Sequence, residues 1–200
     1  MKFKQIILVS VFALEVIQSW GQAHPLLAHT LYSVDKQIDL QISKFGWVDT
    51  GTLKHSMTIK VLTDNSSFLN NTMFNQTLDC YTTSFLKGDT INITGYMIGQ
   101  LGWGFELVLY KDSCIAASFG LSDGKIYKYK KSDIDSIDLI LLPNISQKVV
   151  LSRKPAFQPG EIVAGVIELK SIPYYYTGDG SKYTINLKAY FKTAALKKMQ

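Results

Sequence analysis

Residues 85–119 read FLKGDTINITGYMIGQLGWGFELVLYKDSCIAASF, and this stretch decides the fold class. Over residues 90–94 and again over 105–109, apolar side chains alternate with polar ones, the period-2 pattern of a strand with one buried face. Gly99-Gln-Leu-Gly102 supplies the turn between them, and Cys114-Ile-Ala-Ala-Ser-Phe119 opens a third strand-like run. Outward from this stretch the same alternation recurs at residues 38–42, 57–61, 137–141, 162–169 and 183–187, each run bounded by Gly, Asp, Asn or Ser. Ser122-Asp-Gly124 and Thr177-Gly-Asp-Gly180 add turns, and only residues 193–198 offer a short terminal helix. The expectation is an all-β domain, a jelly-roll β-sandwich of two antiparallel sheets.

The amino terminus has a different character. Lys2 and Lys4 precede an apolar run over residues 6–14, and small residues follow at Ser19, Gly21 and Ala23, so residues 1–22 are expected to be a secretory signal peptide. That run is interrupted at Glu15, short of the roughly 18 to 20 residues a spanning helix needs, so no membrane span is expected. The protein is expected to be secreted and extracellular.

Composition narrows the chemistry. Lys+Arg total 21 against 16 Asp+Glu in 200 residues, a net charge of +5, too weakly basic to imply a nucleic-acid partner. His24, His29 and His55 are scattered, with no His-Glu-x-x-His or Cys-x-x-Cys spacing, so neither a metal nor a cofactor is expected. No Ser-His-Asp or Cys-His set stands out, and Asp64, Asp89, Asp123 and Asp179 sit in turns where capping accounts for them, so an enzyme is not expected.

Cys80 and Cys114 are the only cysteines, and in an oxidising compartment an isolated pair predicts one disulfide. Closing that loop would contribute roughly 4 kcal/mol on the chain-entropy estimate. Sequons occur at Asn65, Asn70, Asn75, Asn92 and Asn144; the first three form a dense cluster that predicts a glycan-bearing loop, Asn144 is a further candidate, and Asn92 falls inside a strand pattern. Lys125-Ile-Tyr-Lys-Tyr-Lys-Lys131 interleaves lysines with aromatics, a pattern that suits a polyanion but suits protection of a sheet edge better. Trp47 and Trp103 each adjoin a glycine and are candidates for stacking on a ligand, although such tryptophans more often pack a core.

Several of these segments resemble the galectins. Phe85-Leu-Lys-Gly-Asp-Thr-Ile-Asn-Ile-Thr-Gly95 is similar to the family's opening strand between two glycines, and Gly104-Phe-Glu-Leu-Val-Leu-Tyr-Lys-Asp-Ser113 to the next strand and turn. Ala156-Phe-Gln-Pro-Gly-Glu-Ile-Val-Ala-Gly-Val-Ile-Glu-Leu169 resembles the Phe-x-x-Gly turn and the strand after it. The resemblance covers about residues 78–190. It implies a jelly-roll lectin that reads β-galactosides through a His-x-Asn-x-Arg set, a nearby Asn and a Trp-x-x-Glu-x-Arg set.

Carried across, the first set falls on Ser118, Gly120 and Ser122, none of which offers a charged planar donor fork. Asn144 matches the isolated Asn, and Gln147-Lys-Val-Val-Leu-Ser-Arg153 replaces the Trp set, leaving Arg153 as its one residue of suitable chemistry. Ordinary galactoside binding, which stacks the sugar on that ring, is therefore not expected.

The expected organisation is a signal peptide (1–22), an N-terminal extension contributing extra strands (23–77), a galectin-like domain (78–192) and a C-terminal tail (193–200). The expected function is that of a secreted, glycosylated lectin for a glycan or glycoprotein, its site rebuilt from Trp103, Ser118, Gly120, Ser122, Asn144 and Arg153. The alternative is an extracellular structural or protein-interaction module that has lost sugar binding.

Overall fold

The computed structural model describes residues 29–43, 54–63, 80–97 and 101–197. The expected signal peptide, the sequons at Asn65, Asn70 and Asn75, and Trp47 lie outside the described residues. The rest builds two seven-stranded sheets. The first contains β1 (Thr30–Leu31), β4 (Cys80–Lys87), β5 (Thr90–Met97), β6 (Leu101–Leu109), β7 (Ser113–Ser122), β9 (Leu139–Leu142) and β14 (Leu196–Lys197). Its order is β14-β4-β5-β6-β7, with β1 and β9 both paired to the free edge of β7.

The second sheet contains β2 (Ser33–Val34), β3 (Lys54–Thr63), β8 (Tyr127–Lys128), β10 (Asn144–Leu151), β11 (Ile162–Ser171), β12 (Tyr174–Tyr176) and β13 (Lys182–Ala194). Strands β2, β10, β11 and β13 are successive neighbours, β3 pairs with β13, and β8 and β12 extend the sheet beyond β10 and β11. Pairing is antiparallel except for the short β2–β10 and β4–β14 contacts. The all-β sandwich expected from the alternation is thus the observed architecture.

Alternation sets the two faces. Along β13, Tyr183, Ile185, Leu187, Ala189 and Phe191 are buried between the sheets, while Asn186, Lys188, Tyr190 and Lys192 occupy the outer face. Phe105, Leu107 and Leu109 of β6 meet them from the first sheet, with Phe105 and Phe191 ring centroids 5.9 Å apart. Trp103, Tyr127, Tyr174 and Tyr183 form a contiguous aromatic group at one end of this core, with successive centroids 5.7–5.9 Å apart.

The glycines of residues 85–119 have a packing reason. Gly95 pairs with Phe105, Gly104 with Phe119 and Gly120 with Trp103, so three times an aromatic lies directly across from a glycine. A Cβ at these positions would come within 2.3 Å of Phe105, 2.4 Å of Phe119 and 2.6 Å of Trp103 respectively. Each ring lies over its neighbouring strand because no side chain occupies that space.

Two sequence expectations change. Residues 38–42 belong not to a strand but to helix α1 (Gln37–Ser43). Asp35 Oδ1 accepts the Gln37 N–H at 2.9 Å, an N-cap contact, and Ile38 and Ile42, one turn apart, are buried against Val150, Ala164 and Val166 on the outer face of the second sheet. Residues 193–197 are not helical: Thr193 and Ala194 end β13, and Leu196 and Lys197 form β14, carrying the chain from the second sheet to the first. At the other end β1 joins the first sheet and β2 the second, and the Tyr32 hydroxyl between them donates to Lys111 O at 2.7 Å.

Candidate functional site

The residues carried over from the lectin set do not assemble a site. Ser118, Gly120 and Ser122 follow one another on the inward face of β7 and are all buried. Gly120 makes room for the Trp103 indole, which is 5% exposed, packed among Tyr127 and Tyr174, and therefore not available to stack on a ligand. Its Nε1 lies in the core with no hydrogen-bond partner. Ser122 Oγ turns back to Gly124 O.

Ser118 and Asn144 do meet: Ser118 Oγ donates to Asn144 Oδ1 at 2.8 Å, and Asn144 Nδ2 donates to Ala116 O at 2.9 Å. Both ends of the amide are thus spent joining β7 to β10, an arrangement that opposes a glycan on Nδ2. Arg153, just past the far end of β10, donates from Nη2 to Ile162 O at 2.9 Å and holds the β10–β11 connection. The six candidates therefore serve packing and strand connection here, because the inward parity of β7 points its small residues at the core.

The expected disulfide is also corrected. Strand register aligns Leu86 of β4 with Ile91, Leu109 and Cys114, placing Cys80 three strands away and six residues further along. That separation is roughly 20 Å or more, well beyond the reach of an S–S bond. Cys114 is a free, fully buried thiol beside Thr30 Oγ1 at 3.5 Å, and burial pushes its pKa up. Native protein at pH 8 is expected to alkylate at Cys114 far more slowly than denatured protein, and peptide mapping should find no Cys80–Cys114 cross-link. Equal rates, or the cross-linked peptide, would contradict this arrangement.

The basic run at residues 125–131 is folded onto its own turn. Tyr127 is a core residue, Lys128 Nζ donates to Asp133 O at 2.6 Å, and the Asp133 carboxylate accepts the Lys130 N–H at 2.8 Å.

A groove does exist on the outer face of the second sheet. About 410 Å³ in volume, it runs across β10, β11 and β13. Register builds its floor as a grid: Ser146, Lys170 and Asn186 form one cross-strand row, and Lys148, Glu168 and Lys188 the next. Helix α1 covers the following row at Val150 and Val166, with Tyr190 packed against it. At the opposite end the β10–β11 register shifts between Asn144 and Ser146, a bulge that bends the strand.

Within the grid Lys188 Nζ lies 2.7 Å from Glu168 Oε1 and 5.7 Å from the Tyr190 ring centroid. The hydrogen bond from Lys188 holds the Glu168 carboxyl below its usual range, with Lys148 adding a smaller attraction. Both partners are about half exposed, so the pair contributes at most about 1 kcal/mol and exchanges readily. Asn186 Nδ2 lies shielded in the groove with no hydrogen-bond partner. This arrangement offers hydroxyl and ammonium groups on a concave, half-open surface, with the Asn186 amide beneath them and an aromatic ring in the next row.

Sequence reasoning did not single out this set. Polar residues at alternate positions in 146–148, 168–170 and 186–188 were the available signal, but only pairing three separate strands puts them side by side. No family model, curated protein or solved structure matches the chain.

Proposed function

We propose that the protein is an exported, galectin-like carbohydrate-binding module whose ligand lies in the β10–β11–β13 groove rather than along β7. One observation carries this reading: the groove gathers Ser146, Lys148, Glu168, Lys170, Asn186 and Lys188 on one concave face, with Asn186 Nδ2 unpaired. A shielded donor without a partner costs about 1 to 3 kcal/mol, and a sugar hydroxyl would recover that cost when the amide turns outward to meet it. The signal-peptide pattern and the galectin-like segments support the exported, lectin-like class.

A second reading, a structural or protein-interaction module, is favoured by the inward-facing Ser118, Gly120 and Ser122, which leave no galactoside set on β7. A glycan array probed with the secreted protein separates the two. The lectin reading expects selective binding that Asn186→Ala weakens by about five- to tenfold without lowering the melting temperature. Absence of binding by folded protein leaves the interaction module.

A further inference from the structure

We propose that the groove selects an anionic glycan, one bearing sulfate groups, and that Glu168 acts as an internal stand-in for the ligand's anion. The proposal rests on the glycan-binding reading and specifies its ligand class.

The charge pattern carries the argument. Lys148, Glu168 and Lys188 are direct cross-strand neighbours, so the two lysines flank one carboxylate at a strand spacing each, roughly 10 Å from one another. Lys170 lies two residues along β11 from Glu168 on the same face, roughly 7 Å away. Three ammonium groups thus surround a single acidic residue in one concavity. Among the described residues Lys148 and Lys170 have no ion-pair partner, while Lys188 is held by Glu168.

Three like charges so close repel one another, and one carboxylate offsets only part of that repulsion. A ligand presenting two or more sulfates would complete the neutralisation, pairing with Lys148 and Lys170 and competing with Glu168 for Lys188. Asn186, beside Lys170, adds a neutral amide whose shielded Nδ2 would donate to a ring or hydroxyl oxygen once the side chain turns outward. The Tyr190 ring, 5.7 Å from Lys188 Nζ, packs against helix α1 in the row just beyond the groove lining, where an apolar sugar face extending past Lys188 would meet it. Aromatic and neutral-amide contacts favour a sugar chain over a bare phosphate surface.

This arrangement makes a prediction of opposite sign for two neighbouring residues. Titrations of the intact secreted protein with a sulfated glycosaminoglycan oligosaccharide, its desulfated form, a neutral oligosaccharide and single-stranded DNA of similar charge form the test. The sulfated chain should bind, with affinity falling as salt is raised, and the desulfated chain at least about tenfold more weakly. Lys148→Gln with Lys170→Gln should cost about tenfold or more, whereas Glu168→Gln should tighten binding several-fold by releasing Lys188.

Lys125→Gln with Lys131→Gln, which alters net charge equally on the β8 turn, should leave affinity within about twofold. Equal melting temperatures would show that all variants fold. Desulfated and sulfated chains bound equally, with loss in the groove variants, would overturn the anionic inference and leave the glycan reading standing. No binding to any saccharide would sink both. Loss in the β8-turn variant instead of the groove variants, DNA bound as tightly as the sulfated chain, or weakening by Glu168→Gln would each overturn the inference.

Discussion

Gly104→Val is expected to abolish cooperative folding, and Gly104→Ala to destabilise by several kcal/mol. A Cβ on Gly104 would sit 2.3 Å from the carbonyl oxygen of Gly95 and 2.4 Å from the Phe119 ring. The ring has some freedom to rotate away, but Gly95 O is backbone, one pair from the end of the β5–β6 ladder, so relief requires prising apart the last strand pairs. Phe119 also closes a small apolar cluster with Tyr96, Ala117 and Leu141 on the outer face of the first sheet, so displacing it spreads the damage to β9. Denaturant titration of secreted or refolded Gly104→Ala against wild type measures the loss. Gly124, where a Cβ meets nothing within 4 Å, is the control: Gly124→Ala should shift stability by less than about 1 kcal/mol. Comparable effects at the two sites would refute the close-packing account.

The second large effect concerns Glu106. Its side chain is 5% exposed on β6, and its carboxylate oxygens take hydrogen bonds only from the Thr94 hydroxyl, at 3.2 Å each. Loss of solvation raises its pKa from 4.5 to about 8, with Thr94 pulling weakly the other way. The folded protein therefore keeps this proton through neutral pH, whereas the unfolded chain releases it near the ordinary carboxylate value.

Because the folded state binds the extra proton, the contribution of Glu106 is most favourable below about pH 4.5, declines as pH rises, and levels off above about pH 8. The whole swing is on the order of 5 kcal/mol. The exposed carboxylates Asp112 and Glu168, whose lysine hydrogen bonds lower their pKa values, act in the opposite sense at acidic pH but contribute little at the surface. Glu106→Gln keeps the acceptor for Thr94 without a titrating proton. It should flatten the stability profile between pH 5 and 8 and melt higher than wild type at pH 8. Identical pH profiles for variant and wild type would show that Glu106 is ionised in the folded state.

The strand runs were legible because period-2 alternation directly records which side of a half-buried sheet meets water, as β13 demonstrates over thirteen residues. Ile38, Leu40 and Ile42 show where that signal fails. Their spacing fits a strand, yet Ile38 and Ile42 also lie one helical turn apart, and Leu40, 63% exposed, is the residue a strand would have buried with them. The Asp35 cap tips the local choice to helix, and the apolar patch at Val150, Ala164 and Val166 supplies the surface it covers.

Side-chain parity explains why the carried-over residues form no surface site. Ser118, Gly120 and Ser122 occupy the places the galectin resemblance implies, but nothing in a run of small residues says which face of β7 meets solvent. The answer comes from Trp103, whose ring fills the space above Gly120. Cys80 and Cys114 fail for a related reason: sequence separation carries no information about register across three intervening strand pairings.

The sequence by itself determined the fold class and the Thr177–Gly180 turn, since alternation and glycine placement are local consequences of burial and backbone freedom; of the expected Gly99–Gly102 turn, Leu101 and Gly102 are strand and the remainder lies outside the described residues. The tertiary structure alone decided which polar residues share a face. Lys148, Glu168 and Lys188 lie on three strands far apart along the chain and become neighbours only through the β10–β11–β13 register, which is set by the summed packing of the core beneath them.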